Sequence, residues 1–131
     1  LTTMDRQILL ATAPGEQHTF GLSMVESFFR ASGWDVTSDP DLDPAKLVGL
    51  RRYGIIGFSL SSETRLEALS ACIRAVRRAS RNPGIGVMVG GHLFIERPEL
   101  VAIVGADLTA TDGLTAVLLA QSLLDLRAPA C

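Results

Sequence analysis

Apolar positions along this chain follow two alternating rhythms. In one, they sit on consecutive residues: Ile8-Leu9-Leu10-Ala11-Thr12-Ala13, Ile55-Ile56-Gly57-Phe58-Ser59-Leu60 and Ile85-Gly86-Val87-Met88-Val89. In the other, they recur three and four residues apart: Leu22, Val25, Phe28 and Phe29; Leu66, Leu69, Ile73 and Val76; Leu114, Val117, Leu118 and Leu124. A short continuous run marks a strand covered on both faces, and the wider spacing marks a helix with one buried stripe. Strict alternation of the two predicts βα units around a parallel sheet. The expected fold is therefore α/β: a flavodoxin-like, doubly wound, five-stranded parallel sheet in a three-layer sandwich.

Local signals set the boundaries. The first strand spans roughly Gln7 to Ala13, and the first helix about His18 to Ser32, stopping at Gly33 where a glycine suits a helix C-terminus. Trp34 to Thr37 reads as a short second strand. In Asp39-Pro40-Asp41-Leu42-Asp43-Pro44, Asp43 caps a helix that opens on Pro44 and runs to Tyr53. Ser61 to Thr64 leads into the third helix, which Asn82-Pro83-Gly84 breaks. A short helix is expected around Pro98 to Val104, then a weak fifth strand within 105–110 and a last helix capped by Thr111-Asp112. Five strands and five helices result.

A length of 131 residues with 47% apolar and 20% charged positions suits one soluble domain, residues 1–131, expected to be a module of a longer protein. The net charge of -2 and an aromatic content of 5% offer neither the field nor the stacking surface that nucleic acid or an anionic membrane would need. Arg74, Arg77, Arg78 and Arg81 read as a solvated helix face. Two cysteines, Cys72 and Cys131, make neither a disulfide framework nor a zinc site, and Cys72 reads as a small buried hydrophobe. No run is long enough for a membrane span and no signal peptide is present, so the expected location is cytoplasmic.

The candidate chemistry lies in three loops that this topology brings to the carboxyl edge of the sheet, where ligands of open α/β sheets bind. After the first strand come Glu16 and His18, with Gly21 three residues on. After the third come Ser59, Ser61, Ser62 and Thr64, and after the fourth Gly90 and Gly91. A carboxylate two residues from an imidazole can hold its tautomer for metal ligation. On spacing alone His18 serves equally well as a helix cap. Paired glycines let a flat group approach the backbone. Neither Gly-x-Gly-x-x-Gly nor Gly-Lys-Ser/Thr is present to cradle phosphates, and Gly57-Phe58-Ser59-Leu60 lacks the second glycine of a nucleophile elbow. The acidic cluster of a receiver domain is absent too. His92 reads as an exposed loop histidine, with a second metal ligand as the alternative. No catalytic constellation emerges, so the chain is not expected to be an enzyme.

Taken in order, Glu16-Gln17-His18-Thr19-Phe20-Gly21, Ser59-Leu60-Ser61 and Gly90-Gly91 resemble the signature of the cobalamin-binding modules of methionine synthase, methylmalonyl-type mutases and corrinoid proteins. That signature is Asp-x-His-x-x-Gly, Ser-x-Leu and Gly-Gly, and the resemblance runs from about Gln7 to Leu124. It implies that His18 ligates cobalt from below in place of the cofactor's own base, with Glu16 orienting it. It further implies that Ser59 contacts the displaced base and that Gly90 and Gly91 make room for the tail. Gly21, Ser61, Ser62 and Thr109 complete the cofactor-binding set.

Two positions depart from the signature: Glu16 replaces Asp, and Ser61 replaces Leu. The Glu form preceded by Pro-Gly looks like the light-sensing, cobalamin-dependent transcriptional regulators, which implies a photoreceptor or redox sensor acting through a protein partner or a neighbouring helical cap. Related modules of photosynthesis regulators bind haem, which makes His18 an iron ligand in the alternative. A carrier domain for methyl transfer is the third expectation.

Overall fold

The sequence closes its sheet in the order β2-β1-β3-β4-β5, with every neighbouring pair parallel. The computed structural model describes residues 6–15, 20–39 and 41–127. Its strands are β1 Gln7–Thr12, β2 Asp35–Thr37, β3 Ile55–Ser59, β4 Gly86–Gly90 and β5 Leu108–Ala110. The helices are α1 Phe20–Ala31, α2 Pro44–Leu50, α3 Leu66–Ala79, α4 His92–Glu96, α5 Leu100–Ile103 and α6 Gly113–Arg127, with a 3-10 turn at Glu63–Arg65. This is the expected flavodoxin-like, doubly wound α/β fold.

Alternation along the strands divides the core in two. Ile8, Leu10, Ile55 and Met88 face α1 and α6, where they meet Phe29, Ala116, Val117, Ala120 and Leu123. Leu9, Ile56, Phe58, Val87 and Val89 face the opposite layer of α2 to α5, against Val48, Leu69, Ile73, Val76 and Phe94. Phe29 and Trp34 add an edge-to-face contact, 5.1 Å between ring centroids, which ties α1 to the start of β2.

Local chemistry behaves as expected at α2. Asp43 Oδ1 accepts the Ala45 N–H at 3.1 Å, with Pro44 at the first helical position. That helix stops at Leu50 rather than Tyr53, because the Tyr53 side chain turns into the core and its hydroxyl donates to Thr37 Oγ1 at 3.0 Å. At the sheet edge, Asp107 extends the short β5 ladder: its N–H donates to the Val87 carbonyl and its Oδ2 accepts the Val87 N–H, both at 2.8 Å.

Three expectations are corrected. An extra helix, α4, begins at His92, because Leu93 and Phe94 are buried and pull the chain into a turn that no capping side chain announces. On α6 the buried face is Ala116, Val117, Ala120 and Leu123, whereas Leu114 and Leu118 are exposed; the small alanines let the helix lie close on the sheet. Among the basic residues, Arg77 is half-buried and staples loops, donating to Gly105 O at 2.7 Å and Asp107 Oδ2 at 3.3 Å, while Arg81 donates to Leu50 O at 3.1 Å. Cys72 is half-buried rather than fully buried, and burial, aided by Asp43, pushes its thiol above the usual range. No helix among the described residues is long and apolar enough to cross a membrane.

Candidate functional site

β1 has its chain successor, β2, on one side and β3 on the other, so the direction of winding reverses between β1 and β3. Connections from neighbouring strands there leave in opposite directions and open a crevice at the carboxyl edge. A cleft of about 600 Å³ lies beside that edge, between the sheet and helices α1 and α6. Its volume is that of a ligand site rather than a packing defect.

The floor comes from the alternate residues of the strands that point toward α1: Leu10, Gly57 and Ser59, Met88 and Gly90, and Ala110. Register aligns them, with Leu10 opposite Gly57, Gly57 opposite Met88, Ser59 opposite Gly90 and Gly90 opposite Ala110. A Cβ on Gly90 would meet no atom nearer than Ala110 O at 3.9 Å, so a side chain there would project into open space and fill the cleft. Val25, Phe28 and Phe29 of α1 form the roof.

Gly91 has a different task. Its φ of 121° is one that side chains resist, and a Cβ there would overlap the Leu60 carbonyl. The loops after β3 and β4 thus pack backbone to backbone, fixed by the Leu60 N–H donating to Gly90 O at 3.1 Å. The loop after β1 is held similarly, with the Ala13 N–H donating to Ser59 O at 2.9 Å.

Among the described residues lining the cleft, four carry polar side chains: Ser59, His92, Thr111 and Asp112. The last three are exposed at the mouth. Asp112 is engaged in capping α6, accepting the Thr115 N–H at 2.8 Å and its hydroxyl at 3.1 Å. The Thr115 N–H is the main cause holding the Asp112 carboxyl below its usual range. His92 lies 2.8 Å from Glu96 on the surface of α4, not in a loop.

The expected site residues are thus partly brought together. Ser59, Gly90 and Gly91 converge on the cleft. Ser62 does not line it; its Oγ accepts the Thr64 N–H at 3.4 Å and caps the 3-10 turn. Ser61 is exposed and also outside the lining, so replacing Leu by Ser there leaves the cleft's polarity unchanged. Thr109 pairs with Val89 and points to the opposite face of the sheet, where its Oγ1 is buried without a hydrogen-bond partner among the described residues. Gly21 is the second residue of α1. Glu16 and His18 lie outside the described residues, between Gly15 at the carboxyl end of β1 and Phe20, which opens α1. Gly57 and the apolar roof were missed, although Gly57-x-Ser59 and Met88-x-Gly90 already showed the two-residue alternation that puts them on one face. Among the described residues no cluster of His, Cys, Asp and Glu could hold a metal by itself.

Residues 6–118 match the model of the B12 binding domain family. The chain belongs to the B12-binding family. Within it, the chain is 30% identical over 108 residues to an uncharacterized 20.5 kDa protein in the bchF-crtJ intergenic region of Rhodobacter capsulatus, a match covering 80% of this chain and 56% of that protein. Its fold is similar to that of a cobalamin-binding protein from Desulfitobacterium hafniense, with a TM-score of 0.76 and 23% identity over 89% of this chain and 58% of that one. It is likewise similar to the monomethylamine corrinoid protein of Methanosarcina barkeri, with a TM-score of 0.77 and 16% identity over 92% of this chain and 59% of that one. This B12-binding chain therefore spans less than two thirds of the length of each of these relatives.

Proposed function

We propose that this chain binds a corrinoid with its nucleotide tail detached and inserted into the cleft, and with His18 as the lower ligand to cobalt. The observation that carries this reading is the floor of Gly57, Ser59 and Gly90 beneath an apolar roof, in a chain of the B12-binding family. The cleft fits such a group: it is open where a side chain on residue 90 would close it, and among the described residues it holds one hydroxyl, Ser59, below the mouth. His18 follows the strand whose carboxyl end stands at the crevice, and Glu16 precedes it at the spacing that lets a carboxylate orient an imidazole. The bound corrinoid would supply a cobalt centre with an exchangeable upper ligand. What the chain's residues do is hold the tail, exclude water from its base and fix the imidazole.

Within this reading, Glu16 after Pro14-Gly15 supports a sensor module of a cytoplasmic light- or redox-responsive transcriptional regulator, working through a protein partner or an adjacent helical cap rather than by binding nucleic acid itself. A methylcorrinoid carrier shares the same cofactor contacts and would differ in supporting reversible methylation of the cobalt. A haem-binding sensor would use His18 for iron.

Visible absorption titrations with hydroxocobalamin and, separately, haemin test the reading, using wild type and His18→Ala. Corrin bands that shift on binding, and do so differently in His18→Ala, support it. A Soret shift that depends on His18, without corrinoid uptake, moves the assignment to the haem sensor. Uptake of neither overturns both.

A further inference from the structure

The polarity of the cleft carries a statement about which corrinoids it accepts. We infer that the chain selects cobamides whose lower base is a benzimidazole over those carrying a purine. This rests on the corrinoid reading above and deepens it.

Among the described residues, the side chains lining the cleft include Leu10, Met88, Val25, Phe28 and Ala110, with Ser59 as the one polar side chain below the mouth. Several nearby backbone groups are already engaged. The Ser59 carbonyl accepts the Ala13 N–H, the Gly90 carbonyl accepts the Leu60 N–H, and the central strand groups belong to the sheet ladders. At the mouth, the Asp112 carboxylate is held by Thr115 and Thr111. Below the mouth, the side chains of the described residues therefore offer one hydroxyl and a hydrocarbon surface.

A detached dimethylbenzimidazole matches that offer: one ring nitrogen accepts a hydrogen bond, and the rest, including both methyls, is apolar. Adenine does not. Its exocyclic amine and additional ring nitrogens would leave water for a lining in which the described side chains below the mouth offer only the Ser59 hydroxyl, and an unpaired buried polar group is costly. Shape alone discriminates weakly between two bicyclic bases of similar size, so unmet polar groups must carry the preference.

The test measures the affinity of the 131-residue chain for three probes: hydroxocobalamin, the corresponding adeninylcobamide, and cobinamide, which lacks the tail. The expected order is cobalamin first, with adeninylcobamide weaker by about tenfold or more. Equal or tighter binding of adeninylcobamide, with cobinamide weaker than both, overturns the inference and leaves the corrinoid reading standing. Cobinamide binding as well as both overturns the inference together with tail insertion. Binding of none of the three overturns the corrinoid reading and the inference with it. Met88→Gln, which places an amide on the floor, is read as the ratio of the two base-bearing probes in the same variant. A narrowed ratio supports the inference, and an unchanged or wider one counts against it.

Discussion

The ring of Phe28 occupies the space that a Cβ on Gly113 would need. Helix α1 roofs the cleft because α6 begins with a residue that has no side chain. Gly113→Ala should displace the ring and destabilise the fold by about 1–3 kcal/mol, the usual cost of overpacking. Phe28→Ala in the same chain should recover part of that loss, so the double variant costs less than the sum of the two. Urea unfolding of the four proteins checks this, and strict additivity would show that the ring and residue 113 are independent.

At Gly91 the constraint is backbone against backbone. Its φ of 121° and the overlap of a Cβ with the Leu60 carbonyl cannot both be relieved by a side-chain rotation. Gly91→Ala should therefore cost about 2–4 kcal/mol. Gly90→Ala meets no such obstacle and should change stability little while obstructing the cleft. If both variants unfold alike, the division of labour between the two glycines is wrong.

Asp107 substitutes for a missing stretch of strand by accepting the Val87 N–H through its side chain. Asp107→Ala leaves that donor without its acceptor and should cost about 2 kcal/mol. Asp107→Asn keeps an acceptor at the same reach and should lose less than half as much. Thermal melts at neutral pH compare the two; an Asn variant as damaged as the Ala one would locate the effect in the ion pair with Arg77 instead.

The capping carboxylate of Asp112 predicts a pH dependence. The Thr115 N–H is its first cause and the Thr115 hydroxyl its second, and both lower the folded-state value from its ordinary 3.8. A depressed carboxyl stabilises fully above its unfolded value and loses that contribution as pH falls through the folded one. The Tm gap between wild type and Asp112→Ala should thus be constant from about pH 7 to about pH 5 and shrink below about pH 4. A gap that is flat into acid would mean that the ionised form contributes nothing.

Much of this was legible in the sequence, for identifiable reasons. Ile55 to Leu60 and Ile85 to Val89 are apolar on both faces because helices cover both sides of the sheet, and consecutive apolar residues report that directly. Ser59 and Gly90 were legible because they terminate those runs, and parallel register sets them side by side. Thr109 was misplaced relative to the cleft because a strand reverses its side chains at every residue, and the three-residue β5 gives too little alternation to fix the face. The helix at His92 was missed because tertiary burial of Leu93 and Phe94, rather than capping or length, holds its five residues. On α6, period alone favoured the large Leu114 and Leu118, whereas close packing selected Ala116 and Ala120.

In the proposed complex, the nitrogen that cobalt meets from below belongs to His18 and not to the cofactor's own base. Electron paramagnetic resonance of cob(II)alamin bound to the chain, at natural abundance and uniformly labelled with nitrogen-15, reads that nitrogen through its splitting of the cobalt lines. A triplet that becomes a doublet on labelling the protein is the predicted result, since the ligand then comes from the chain, and His18→Ala should abolish it. A triplet unchanged by labelling would mean that the cofactor keeps its own base, leaving the cleft without the tail and His18 without the cobalt.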